Sequence, residues 1–166
     1  MSLLTRLPFA LAGAVFRSPM PFGDADPRGQ LLREIVAARI DLVVPLAPEE
    51  ECREETERDL FTLYRAEGLE VRPFPIDDFG VPADQERFAR AVEDTLTRAR
   101  AGRRVLVHCS AGVGRTGTFL ACLAAAELGL SGPGALAWVR RHVPHAVETS
   151  EQRELVRWFR EAREMR

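Results

Sequence analysis

The stretch Val105-Leu106-Val107-His108-Cys109-Ser110-Ala111-Gly112-Val113-Gly114-Arg115-Thr116-Gly117 constrains this chain more than any other. The run up to Cys109 reads as a buried strand, and the apolar-rich residues from Phe119 read as a helix. With the strand ending at Cys109 and the helix opening near Arg115, the loop between can curl so that its amides aim at one point, aided by the positive end of the helix dipole. Gly112 and Gly114 permit the curl. Donors that hold a phosphate dianion also stabilise a thiolate. A free cysteine titrates near 8.5, and such surroundings lower that to roughly 3.5–7.5, each unit being worth about 1.4 kcal/mol. Arg115 adds a planar fork for two anion oxygens. The Thr116 hydroxyl can donate to the sulfur when that sulfur departs. The stretch thus predicts a phosphate cradle with a nucleophile at its floor.

His108-Cys109, five intervening residues and Arg115-Thr116 resemble the signature of the cysteine-dependent protein tyrosine phosphatases. The resemblance implies that Cys109 attacks phosphorus, that Arg115 and the loop residues Ser110, Ala111, Gly112, Val113 and Gly114 hold the phosphate, and that His108 supports the loop by local hydrogen bonding. Two other readings compete. Cys109 as an ordinary buried thiol leaves its company unexplained. Gly112-Val113-Gly114-Arg115-Thr116-Gly117 also fits the glycine spacing of dinucleotide-binding folds. That fold asks for an acidic residue about 20 positions on, at the end of a second strand, where this chain offers the helix-like Ala135–Val139.

The 166 residues suit a single domain, 1–166, with a core of its own. A net charge of −2 argues against nucleic acid and membrane surfaces as partners, and no stretch is long enough to span a bilayer. All basic charge is arginine, and asparagine is absent too, a bias expected of a GC-rich bacterial coding sequence. Three cysteines, an odd number, argue against a disulfide framework and for the reducing cytoplasm that a low-pKa nucleophile needs. Leu7–Val15, with Arg6 before it, passes for a short signal-peptide core. Against that, Gly13–Pro21 resembles the opening strand and turn of compact phosphatases.

Along the chain, Asp26 is expected to cap and Pro27 to open a helix whose buried stripe is Leu31, Leu32, Ile35 and Val36. A strand follows over Ile40–Leu46, then one charged helix over Glu49–Glu67 with a merely wet charge run and Gly68 as its stop. Leu69–Phe74 reads as a strand and Pro82–Arg100 as a helix with Phe88, Val92 and Leu96 inward. Helices over about Pro133–His142 and Ser150–Met165 close the chain. Alternating strands and helices imply an α/β class, with a mostly parallel sheet of four or five strands flanked by helices.

Hydrolysis of an aryl phosphate needs an acid for the leaving oxygen, worth typically 10²–10⁴ in rate, and a loop between strand and helix can deliver it by closing. Phe74-Pro75-Ile76-Asp77-Asp78-Phe79-Gly80-Val81-Pro82 is similar to the Pro-Ile-x-Asp-x-x-x-Pro loop of the dual-specificity branch. That similarity assigns the acid to Asp78, leaves Asp77 facing solvent and puts Phe79 beside the substrate. Family members carry Gln-Thr-x-x-Gln where this chain has Glu148-Thr149-Ser150-Glu151-Gln152, so Gln152 is expected to orient the hydrolytic water while Glu148 departs from the pattern. Thr149 with Gln152 also spells a capping box for the last helix, and both readings stand.

His142 and His145 lack further ligands at metal spacing, so neither metal nor organic cofactor is expected. Cys122 reads as structural, and Cys52 as a candidate trap for an oxidised Cys109. The short chain resembles the compact dual-specificity type, which implies a phosphorylated protein or peptide as partner, a monomer, and phosphate, sulfate or another oxyanion in the loop. Loop lysines, common in phosphoinositide and inositol phosphate phosphatases, are missing, which disfavours those substrates. A phosphoprotein-binding module without turnover is the remaining alternative, against which Cys109, Arg115 and Asp78 all count.

Overall fold

The computed structural model describes residues 2–166. Its strands and helices run in the order β1 (Thr5–Leu7), β2 (Ala14–Ser18), α1 (Gln30–Ala37), β3 (Leu42–Pro45), α2 (Glu49–Thr56), α3 (Leu60–Ala66), β4 (Glu70–Val71), α4 (Gln85–Arg100), β5 (Arg104–His108), α5 (Gly114–Leu128), α6 (Gly132–His142) and α7 (Ser150–Glu164). They build one five-stranded sheet in the order β1-β2-β5-β3-β4. Only the β1–β2 pair is antiparallel. Central β5 is apolar throughout Val105–Val107 because both of its faces are covered. Val105, Val107, Leu42 and Val44 face a core shared with α4, α5, α6 and α7, whereas Leu106, Val43 and Phe16 face a second core closed by α1 and α3. Helix α5 is buried along most of its length. Its Gly117 lets residues 146 and 147 come close, since a Cβ there would stand 2.7 Å from that of Ala146.

Several boundaries differ from those read in the sequence. Helix α1 begins at Gln30, not Pro27, after Gly29 in the left-handed region, and Asp26 reaches forward to accept from the amides of Gln30 and Leu31 at 3.0 and 3.2 Å. Val36 is exposed. The expected single helix over 49–67 is two, because Glu57 turns left-handed at φ 55° and Asp59 caps α3 through the Thr62 amide. The third and fourth strands are shorter than read, and only Glu70 and Val71 pair in β4. Helix α4 starts at Gln85, capped by Asp84, so Pro82 belongs to the loop. Leu7 and Phe9, in the stretch resembling a signal core, are buried in the core.

Candidate active site

Parallel order puts the C-terminal ends of β2, β5 and β3 side by side, and the loop after β5 lies across them. Every carbonyl of that loop is bound from outside. Leu46 N–H donates to His108 O at 2.8 Å, His108 Nδ1 to Cys109 O at 3.0 Å, and Met20 N–H to Ser110 O at 2.7 Å. Arg17 donates through Nη2 to Ala111 O at 3.1 Å, and through Nε and Nη2 to Gly112 O at 3.2 and 2.8 Å. Val147 N–H donates to Val113 O at 3.2 Å, and Thr118 Oγ1 to Gly114 O at 2.8 Å. Across a planar trans peptide the C=O and the following N–H point opposite ways. Outward carbonyls from Cys109 to Gly114 therefore turn the amides of Ser110 to Arg115 toward the hollow above Cys109, the last two at the open N-terminus of α5. None of the amides from Ser110 to Val113 donates within the protein among the described residues. Gly112 is indispensable twice over. Its φ is +76°, and a Cβ there would sit 2.4 Å from Ser18 O.

His108 is fully buried, and its contacts fix its tautomer. A carbonyl only accepts, so Nδ1 carries the proton, leaving Nε2 to accept from the Tyr64 hydroxyl at 2.8 Å. Burial foremost, with the charge of Cys52 adding, pushes the Tyr64 phenol well above its ordinary range and keeps it a donor. Burial drives His108 from 6.5 down to about 4, the nearby Arg115 charge acting the same way and the Cys109 carbonyl opposing. Because the folded value lies below the unfolded one, this contribution to stability is complete above pH 6.5 and is lost as pH falls toward about 4. The loss amounts to about 3 kcal/mol, and His108→Gln should flatten that limb of the stability curve in urea melts. Tyr64→Phe strands Nε2 without a donor and should cost about 1–3 kcal/mol in the same measurement.

Arg115 is 2% exposed and already occupied. Nη1 and Nη2 grip the Glu51 carboxylate at 3.2 and 2.9 Å, Nη1 donates to Ile76 O at 2.8 Å, and Nη2 donates to Asp78 Oδ1 at 3.1 Å. Burial pulls its guanidinium down, yet the Glu51 hydrogen bond and the charges of Cys109, Glu51 and Asp78 hold it above its ordinary value. Glu55, one turn along α2, accepts from Ser110 Oγ at 3.0 and 2.8 Å. The charge run of α2 is therefore more than a wet face. Two of its acids, four apart on the side that buries Cys52, hold the loop, and that spacing was the available signal.

Between the neighbouring acids the structure is unequal. Both are exposed, but Asp78 reaches Arg115 and accepts from the Phe79 amide at 3.0 Å, whereas the Asp77 carboxylate has no hydrogen-bond partner among the described residues and its backbone carbonyl takes the Gly80 amide. Phe79 stands 60% exposed at the loop tip with φ 59°. Thr116 Oγ1 is buried with no hydrogen-bond partner among the described residues, so the expected bond to the Cys109 sulfur is not made in this state. Gln152 completes the capping box, its Oε1 accepting from Glu148 and Thr149 amides at 2.8 and 3.2 Å, and its Nε2 donates to Gly80 O at 3.3 Å. Its amide thus ties the loop that carries Asp78 to α7. Glu148 lies against Gly114, and the preceding Val147 is held at φ 66°, costly for a β-branched residue, by Arg140 donating to Ala146 O and Val147 O.

His142 packs against Trp138 with ring centroids 4.7 Å apart, and His145 occupies a left-handed turn. All three cysteines are free thiols. Burial, assisted by Glu51 and Glu55, pushes Cys52 up to about 12, and burial alone raises Cys122 further. Among the described residues no group of three or more His, Cys, Asp or Glu is placed to hold a metal, and no single helix is long and apolar enough to cross a membrane.

Known proteins share this architecture. The family description "Swiss Army Knife protein, DSP-PTPase phosphatase domain" matches residues 15–165. Mouse (Mus musculus) receptor-type tyrosine-protein phosphatase alpha is 32% identical over 127 residues, covering 69% of this chain but only 15% of that relative's length. The active-form crystal structure of Tk-PTP aligns at a TM-score of 0.76 with 34% identity, covering 90% of this chain and 92% of that one. Kinase associated phosphatase, bearing serine at its catalytic cysteine, shares the fold at a TM-score of 0.86 with 21% identity over 98% of this chain and 96% of that one. With a family match over nearly its whole length on top of the loop geometry, the chain belongs to the cysteine-dependent protein tyrosine phosphatases, in their compact dual-specificity branch.

Proposed function

We propose that the chain hydrolyses phosphotyrosine, and with it phosphoserine and phosphothreonine, in proteins through a phosphocysteine intermediate. The observation that carries the reading is the loop's complete outward satisfaction of carbonyls, which leaves a ring of amides around Cys109 with nothing of the protein's own to bind. An anion with several oxygens fits that ring, and the orphaned Thr116 hydroxyl marks a further donor held in reserve.

In the first step the Cys109 thiolate forms a bond to phosphorus as the ester oxygen leaves with a proton from Asp78. The loop amides from Ser110 to Gly114 and the Arg115 fork hold the nonbridging oxygens. Phosphate takes the place of Asp78 on Nη2 of Arg115, which frees the acid to approach the leaving group, while Glu51 keeps its grip. In the second step water attacks phosphorus, Asp78 takes its proton, Gln152 orients it, and Thr116 donates to the departing sulfur. Exposed Phe79 flanks the entering side chain. His108 supports the loop through Cys109 O.

Three free thiols and an arginine-only basic set go with a bacterial, cytoplasmic setting, where the protein works as a monomer on phosphoproteins away from membranes. The direct test is release of phosphate from 4-nitrophenyl phosphate, then from a matched panel of phosphotyrosine and phosphothreonine peptides. Turnover of both peptide classes supports dual specificity. Tight phosphopeptide binding without any phosphate release would reduce the protein to a binding module.

A further inference from the structure

The charges around the cradle do not balance where the loop signature alone would place them. Arg115 faces two carboxylates, Glu51 at 2.9 Å and Asp78 at 3.1 Å, so in the free protein it brings no surplus positive charge. Arg17 is different. It leaves β2 in register with Val107, two residues before Cys109, and spends its guanidinium on the carbonyls of Ala111 and Gly112. No carboxylate pairs with it among the described residues, and the one charged group acting on it is Cys109, which pulls the guanidinium back up against the lowering effect of burial. A half-buried cation with no acidic partner is expensive unless an anion stands by.

Geometry gives the same residue a second task. Nη2 lies where a Cβ at position 112 would be, at 2.3 Å, so the loop glycine and the strand arginine accommodate each other. By binding Ala111 O and Gly112 O from outside, the guanidinium sets the orientation of the two peptide planes whose amides, Gly112 and Val113, face the hollow.

We infer that Arg17 is a positioning residue of the cradle: it holds two loop carbonyls outward so that two amides meet the anion in the hollow, and its charge, matched by no carboxylate among the described residues, is left to that anion. This rests on the phosphatase reading for its purpose, but not for its test.

The test is alkylation of the free protein by iodoacetamide as a function of pH, followed by intact mass, alongside competition by inorganic phosphate. Burial raises the thiols of Cys52 and Cys122, and peptide mapping of the alkylated protein identifies Cys109 as the thiol being read. Arg17→Ala should move the alkylation midpoint up by about one unit and weaken phosphate protection roughly tenfold. Arg17→Lys returns the charge without the three-bonded fork, so it should recover most of the midpoint while phosphate protection stays weakened. An unshifted midpoint and unchanged protection in Arg17→Lys and in a folded Arg17→Ala would overturn the assignment. Should Arg17→Ala fail to fold, Arg17→Lys decides alone, through loss of phosphate protection or its retention. A parent protein without turnover on phosphopeptides leaves these readouts intact, so failure of the phosphatase reading is separable from failure of this one.

Discussion

Replacing Cys109 by serine is expected to cut turnover of 4-nitrophenyl phosphate to about 10⁻⁴ of the parent's or less, with phosphate binding retained. Sulfur is the better nucleophile toward phosphorus, whereas a serine hydroxyl in the same place keeps its proton and attacks poorly. The exchange is nearly isosteric at a site only 3% exposed, so the amides, Arg115 and its partners stay where they are. No other thiol can stand in: Cys52 is buried against α2 with its thiol pushed up to about 12, and Cys122 is enclosed in α5. Saturation kinetics with a phosphate-binding isotherm check the expectation. Turnover within tenfold of the parent's would exclude a phosphocysteine route.

Asp78→Asn should lower kcat by about 10²–10⁴, whereas Asp77→Asn should stay within about twofold. The inequality follows from partners, since Asp78 reaches Arg115 and the Asp77 carboxylate binds no group among the described residues. The deficit should be largest for phenyl phosphate and phosphotyrosine, whose leaving groups need the proton, and smallest for 4-nitrophenyl phosphate, whose leaving group departs as a stable anion. Phosphate binding should hold or tighten in Asp78→Asn, because Nη2 of Arg115 loses a competing carboxylate. If Asp77→Asn carries the loss, with its leaving-group dependence, the acid sits one residue earlier.

In the free protein the loop that bears Asp78 is fastened at three points. Asp78 pairs with Arg115, Ile76 O accepts from the same guanidinium, and Gly80 O takes the Gln152 amide, so three successive parts of one loop are fastened to the site and to α7. The exposed member, Phe79, carries a left-handed backbone at φ 59°. On the mechanism proposed above, an anion that took over Nη2 would release one fastening and leave the other two in place.

Much of the architecture was legible because it is local. Alternation of strands and helices, the buried β5, the long apolar α5 and the capping box at Thr149 and Gln152 all follow from spacing within a dozen or so residues. Legibility failed where a short-range competitor decided. Thr56 folds its hydroxyl back onto Cys52 O at 2.6 Å and Asp59 offers a fresh cap, so a charged stretch with uninterrupted helical spacing breaks in two. Asp26 similarly caps from a distance, through amides four and five residues on, which no reading of adjacent positions would separate from an ordinary N-cap.

What the sequence by itself determined is the cradle's floor: a strand ending at a cysteine, glycines where the backbone must turn, and an arginine at the mouth of a helix. Those features lie within about a dozen residues and depend on backbone geometry alone. What only the tertiary structure decided is who completes it. Glu51 on Arg115, Arg17 on the loop carbonyls and Tyr64 on His108 come from 64, 95 and 44 residues away. Sheet order and register place them there: Arg17 meets the loop because it pairs with Val107, and Leu46 because β3 lies beside β5. A charge in a sequence has no address until the strand or helix that bears it is docked. That is why α2 read as a solvated face and proved to hold Arg115.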